Sequence, residues 1–157
     1  MHRLFVLLIL AAACSNNASN NWQPLDLLPY GIPLTINAPE PDSAKVKKSD
    51  MGSLIQDITI RNGEDYYIQI YAVQAETNDM TKIKASLLAD VKANRYYSRI
   101  VSEEESGFIY ETSIDENNLN YGFRWIKLQG DMEYVFQTGL VGTFTLEQVK
   151  NMYEAVK

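Results

Sequence analysis

The stretch Leu54-Ile-Gln-Asp-Ile-Thr-Ile-Arg61-Asn62-Gly63-Glu64-Asp65-Tyr66-Tyr-Ile-Gln-Ile-Tyr-Ala-Val73 decides how this chain folds. Apolar and polar residues alternate on both sides of Asn62-Gly63, the pattern of two half-buried strands joined by a tight turn. A two-residue loop would set Ile58 opposite Tyr67 and leave Ile68 and Ile70 on the face of Asp57 and Thr59. A three-residue loop, Asn62-Gly63-Glu64, instead sets Ile58 opposite Ile68 and Ile60 opposite Tyr66, which collects the aliphatics. Because a one-residue slip inverts every side chain, the three-residue loop is expected.

Downstream, Met80, Ile83, Leu87 and Val91 recur at helical spacing, with Lys82, Lys84, Asp90 and Lys92 on other faces. Asn78 or Asp79 is the cap, and the helix is expected to run to about Arg95. Four strand-like runs follow: Tyr97 to Glu103, Phe108 to Ile114, Tyr121 to Gln129 and Met132 to Leu140. Gly107, Glu116-Asn117-Asn118 and Gly130-Asp131 punctuate them. A last helix starts at Thr145, where Thr145 with Gln148 spells a capping box and Phe144 with Val149 a hydrophobic staple. Leu146, Val149, Tyr153 and Val156 form its apolar stripe. Upstream, all five prolines, Pro24, Pro29, Pro33, Pro39 and Pro41, favour extended or turning backbone, with Leu34 and Ile36 expected in one short edge strand.

Strand–helix–strand alternation does not repeat, which excludes a doubly wound parallel sheet. The expected class is α+β: an antiparallel sheet of about six to seven strands covered by two helices. If Gly130-Asp131 is a two-residue turn, Trp125 faces Phe136, and Tyr121, Phe123 and Tyr134 share that face. Five rings on one side are what a core beneath helices needs. The opposite, mixed face, with Tyr67, Tyr71 and Arg124, then becomes the expected surface for a partner.

Residues 1–13 form an expected secretory signal: Met-His-Arg, the apolar run Leu4 to Leu10, then Ala11-Ala12-Ala13 before Cys14. The ten residues from Leu4 to Ala13 fall short of the roughly 20 that a membrane-spanning helix needs. Ala13-Cys14 resembles the bacterial lipobox, with Leu10 one place further back than the usual Leu. That resemblance implies acylation of Cys14, which becomes the new N-terminus. Lipidation would also remove an unpaired thiol from an oxidising compartment. Ser15, unlike the Asp that resembles an inner-membrane retention signal, points to the outer membrane of a Gram-negative envelope. Residues 14–21 read as a polar tether, in which the sequon Asn17-Ala18-Ser19 is taken as coincidence, and residues 22–157 as a single domain.

The whole chain of 157 residues carries 14 Lys and Arg against 20 Asp and Glu, a formal charge of −6; loss of Arg3 with the leader makes it −7. Such a domain repels phosphate backbones, so nucleic acid is not an expected partner. The single His, His2, and the single Cys, Cys14, both fall at the N-terminus. Maturation therefore leaves no imidazole or free thiol for nucleophilic catalysis or zinc binding, and no cofactor motif is present. Enzyme chemistry would fall to a carboxylate pair, as in a glycosidase, with Asp57, Glu103, Glu111, Asp131 and Glu133 as candidates. Glu103-Glu104-Glu105 and Asp115-Glu116-Asn117-Asn118 offer oxygen ligands for calcium without the EF-hand pattern, and read as solvated turns. Gly139-Leu140-Val141-Gly142-Thr143 could aim amides at an anion but lacks an adjacent cation. Asp42-Ser43-Ala44 resembles a short bacterial O-glycosylation pattern.

The element order resembles the PsbP-like α/β sandwich, also found in DcrB-like envelope lipoproteins, over roughly residues 30 to 157. A cystatin-like or nuclear-transport-factor-like curved sheet is the alternative. The expected function is a non-catalytic, lipid-tethered envelope module that binds an envelope protein, glycan or small ligand; a carboxylate-dependent hydrolase is the alternative.

Overall fold

The computed structural model describes residues 21–50, 55–115 and 117–157. Cys14 and the leader lie outside them, as do Leu54 and Glu116. The central hairpin pairs β4 (Ile55–Asn62) with β5 (Tyr66–Gln74). Ile58 lies opposite Ile70 and Ile60 opposite Ile68, so the expected partners are corrected by two places. The loop has three residues, but they are Gly63-Glu64-Asp65. Asn62 stays in the ladder opposite Tyr66 and donates its side-chain amide to the carbonyls of Pro39 and Glu40. Gly63 takes the left-handed turn position at φ +66°. Because the shift is even, the same side chains still face inward.

Seven strands form one antiparallel sheet in the order β3-β4-β5-β9-β8-β7-β6. The remaining members are β3 (Lys45–Asp50), β6 (Tyr97–Glu103), β7 (Gly107–Ser113), β8 (Leu119–Gln129) and β9 (Met132–Thr138). The β8–β9 hairpin turns on Gly130-Asp131 and sets Trp125 opposite Phe136, as expected. Phe123, Tyr134 and Phe136 are buried, while Tyr121 and Trp125 pack at the margin of the same cluster, so the aromatic stripe is core.

That inner face is covered by α2 (Leu146–Val156), whose Tyr153 ring meets Phe123 and Trp125 edge-on at 5.8 and 5.5 Å. Both halves of the capping box form: Gln148 N donates to Thr145 Oγ1, and Thr145 N donates to Gln148 Oε1 at 2.7 Å. The other helix, α1 (Met80–Lys92), is capped by Asp79 and buries Ile83 and Val91. These side chains stand apart from the inner-face cluster, as do Phe108, Ile126 and Val135 on the opposite side of the sheet. The chain after α1 turns sooner than expected, at Asn94, whose side chain accepts from Tyr96 N and whose carbonyl accepts from Tyr97 N.

Leu34 and Ile36 do not supply an edge strand of the main sheet. Residues 35–38 form β2, which pairs with β1 (Gln23–Asp26) in a separate two-stranded ribbon. Its prolines would interrupt a central ladder, but they fit a short ribbon. Leu27, Ile32, Leu34, Ile36 and Ala38 are all buried in the inner-face core, and Tyr66 donates its hydroxyl to Asn37 O at 2.8 Å. The sheet edges are protected differently: β3 carries Lys45, Lys47 and Lys48, and β6 is broken by two register shifts.

Phe123→Ala should lower unfolding free energy by about 3–5 kcal/mol, the usual range for emptying a packed aromatic site. Urea denaturation checks this; a loss below about 1 kcal/mol would mean the ring does not fill the core.

Candidate functional site

The sheet's outer face carries a hydrogen-bonded polar row where apolar side chains would normally sit beneath a helix. Gln69 on β5 and Gln137 on β9 are register partners and are 3% and 4% exposed. Gln137 Nε2 donates to Gln69 Oε1 at 2.8 Å, and Gln69 Nε2 donates to both oxygens of Asp57 at 3.0 Å. Two buried amides satisfied in this way are fixed in orientation, since any other rotamer would orphan a polar group.

All three residues of the expected partner surface lie on this face. Tyr67 and Tyr71 flank Gln69 at alternate positions of β5, and Arg124 is the register partner of Gln137 on β8. Each is half-buried, not fully exposed. Tyr71 stands opposite Asp57. Its phenol is pushed above the ordinary tyrosine range by burial first and then by the Asp57 carboxylate, against the lowering influence of Arg124 and a Gln69 hydrogen bond. Tyr71 therefore stays neutral and able to donate. The Arg124 guanidinium donates to Phe123 O at 3.1 Å and to Tyr110 Oη at 3.4 Å, and lies 5.6 Å from the Tyr110 ring centre.

Two glycines shape the surface. The Tyr110 ring lies over Gly122, where a Cβ would come within 2.5 Å of it, and the Tyr67 ring lies directly over Gly139. Both positions, Gly122 within β8 and Gly139 just past the end of β9, lack a side chain because a ring occupies that space. Arg61 stacks on Tyr67 at 5.6 Å, and with Lys45, Lys47 and Thr59 it extends the face into a shallow groove of about 490 Å³. The result is a row of rigid, amphipathic rings with fixed amide donors between an anion and a cation. This arrangement fits recognition, because it holds hydrogen-bonding groups in place.

The five candidate carboxylates are scattered. Asp57 belongs to the polar row. Glu103 pairs with Lys84 at 3.1 Å, and Asp131 sits exposed in the β8–β9 turn. Glu111 is 5% exposed; hydrogen bonds from Arg99 first, then Ser98, hold it below the ordinary carboxylate range. Glu133 lines a cleft of about 620 Å³ between α1 and the sheet, walled by Ile55, Val73, Ile83 and Leu87. Its carboxylate neighbour there is Glu76, which the sequence reading passed over. Burial first, then the Glu76 charge, raises the Glu133 carboxyl above its ordinary value.

Part of each acidic turn is already partnered. Lys157 bonds Glu104 at 2.8 Å, and Asp115 accepts from Asn117 N at 2.9 Å and Asn118 Nδ2 at 2.6 Å. Among the described residues no three His, Cys, Asp or Glu side chains converge as a metal site. Before α2, the Thr145 hydroxyl already takes the Gln148 amide at the helix start. Ser43 lies in an exposed turn, donating to Glu40 O at 3.0 Å and accepting from Asn62 Nδ2 at 3.2 Å.

The sequence pattern singles out neither Gln69 nor Tyr110 nor Gly122, and it puts Gln137 on the mixed face and Gly139 in a loop without tying either to this surface. Gly122 in the middle of a strand was the available signal. Comparison with protein-family models, curated proteins and solved structures finds no match.

A carboxyl with a raised native pKa binds its proton more tightly in the folded state, so its ionisation destabilises the fold as pH rises through that raised value. Glu133→Gln should therefore raise thermal stability at neutral pH, and the gain should vanish at acidic pH where wild-type Glu133 is protonated. A gain independent of pH would refute the assignment.

Proposed function

We propose that this protein is a non-catalytic, lipid-tethered module of the bacterial envelope that docks an envelope protein or glycan on the outer face of its sheet. The observation that carries the docking surface is the polar row: buried Gln69 and Gln137 fix a floor from which Tyr67, Tyr71 and Arg124 rise together. Half-buried tyrosines and an arginine are the residue types enriched where proteins are recognised, because they offer large contact area at small cost in conformational entropy. Attachment through an acylated Cys14 is supported by the leader pattern, and two or more acyl chains such as palmitate would hold firmly. No helix among the described residues is long and apolar enough to cross a membrane. The order of strands and helices supports a PsbP-like, DcrB-like sandwich, and an outer-membrane address rests on Ser15.

A second reading, a carboxylate-dependent hydrolase, is favoured by one observation: Glu133 and Glu76 share the cleft beside α1, and burial with the Glu76 charge raises the Glu133 carboxyl above its ordinary value. A carboxyl with a raised pKa and a second carboxylate in one cleft are the two groups that glycoside hydrolysis uses. Glu133→Gln should leave docking intact; if it abolished a glycan-hydrolysing activity of the wild type, the enzyme reading would replace the first.

Two measurements test the main reading. Cys14→Ala should move the protein from the membrane to the soluble fraction. A photo-crosslinking residue placed at Tyr71 should give one discrete adduct in intact cells, absent when placed at Asp131 and weakened by Arg124→Ala. Equal adducts at both positions would remove the outer face from consideration.

A further inference from the structure

One end of the sheet gathers four of the six large apolar side chains that stand exposed among the described residues; Leu28 and Ile55 lie elsewhere. The β4–β5 turn, the start of β8, the end of β7 and the end of β9 all meet there, as the pairings Asn62 with Tyr66, Ser113 with Leu119 and Ile68 with Thr138 require. Leu140 and Val141, in the loop between β9 and α2, are 74% and 72% exposed; Ile114 and Leu119, at the β7–β8 turn, are 71% and 40% exposed. The loop is held to this end at both roots. Gly139 N donates to Tyr67 O at 2.8 Å, while Phe144 is buried, donates to Asn120 Oδ1 at 2.8 Å and accepts from Tyr121 N at 3.1 Å. No charged residue occurs from Tyr134 to Leu146, so the projecting tip is uncharged and apolar.

The described chain begins at this same end. The Trp22 ring meets Tyr66 edge-on at 5.1 Å, and Trp22, Gly63 and Thr145 line one groove. Cys14 precedes Trp22 by eight residues, so at most about 28 Å of chain separates them. An acyl anchor at Cys14 would therefore keep this end of the domain beside the bilayer.

We propose that the Gly139–Gly142 loop tip, Leu140 and Val141, inserts into the headgroup boundary of the membrane that Cys14 anchors, with Ile114 and Leu119 alongside. The occupant is a lipid surface, and this rests on the Cys14 reading above. Insertion buries two large apolar side chains that otherwise stay hydrated. Glu64, Asp65 and Asp115 stand at the same end as Arg61 and Arg95, so this end carries charges of both signs and the loop is matched to zwitterionic lipid. Docking in this way would turn the outer face to the side of the domain, with Tyr71 and Arg124 further from the bilayer than Tyr67, which sits over the loop's root at Gly139.

The test uses the full chain isolated from membranes and reconstituted in phosphatidylcholine vesicles. Val141→Cys, or Asp131→Cys in the opposite-end β8–β9 turn, carries an environment-sensitive fluorophore. Intact mass first reports whether Cys14 is acylated. The label at 141 should shift to the blue and be quenched by brominated lipid, the label at 131 should do neither, and Leu140→Asp should abolish the response at 141. An acylated protein whose label at 141 stays in water overturns the loop inference and leaves the anchor standing. A mass without acyl chains overturns the anchor. The unacylated labelled chain is then added to preformed vesicles, where an unchanged emission would overturn the loop inference as well.

Discussion

The pairing of β5 with β9 joins two meanders that are otherwise local. β3, β4 and β5 form one and β6 to β9 the other, and only this ladder makes them a single sheet. Opposite Ile70 it places Phe136, so the apolar faces of both halves become continuous beneath α2 and the proline-rich ribbon. By the same register it places Gln69 beside Gln137. The core and the polar row are thus two consequences of one alignment, and a slip of one residue would exchange them. Such a slip would bury amides and a guanidinium while exposing phenyl rings, a penalty large enough to specify the register.

The two faces also explain why α1 and α2 differ. α2 lies on the face that holds the main apolar cluster and buries Val149, Met152, Tyr153, Ala155 and Val156. α1 links β5 to the far edge strand β6 across the outer face and buries only Ile83 and Val91, because that face supplies apolar partners chiefly at Phe108, Ile126 and Val135. What α1 leaves uncovered is the row of tyrosines, while the cleft holding Glu76 and Glu133 opens between α1 and the sheet. Function, on this account, occupies the part of the sheet that the fold does not need for stability.

Much of this was legible in the chain because it is local. Asn62-Gly63 and Gly130-Asp131 announce their hairpins, Thr145 with Gln148 announces α2, and the alternation around Trp125 and Phe136 identifies the core face. The hairpin partners of Ile58 were misplaced by two because the anchoring of Asn62 to Pro39 and Glu40 comes from a distant segment. For the same reason the ribbon and β3 were not foreseen: prolines and lysines have low strand propensity, and only the inner-face core and β4 give those residues partners. Parity alone put Tyr67, Tyr71 and Arg124 on one face, and the sheet places them there. The glutamines that position them, and the Glu76 that faces Glu133, depend on contacts between strands and loops far apart in sequence, for which no short-range pattern exists.

The β5–β9 register is tested most directly by cross-strand proton contacts in solution NMR. The account predicts contacts between the backbones of Ile70 and Phe136 and between the side-chain amides of Gln69 and Gln137. Contacts from Ile70 to Val135 or Gln137 in place of Phe136, or none between β5 and β9, would contradict it.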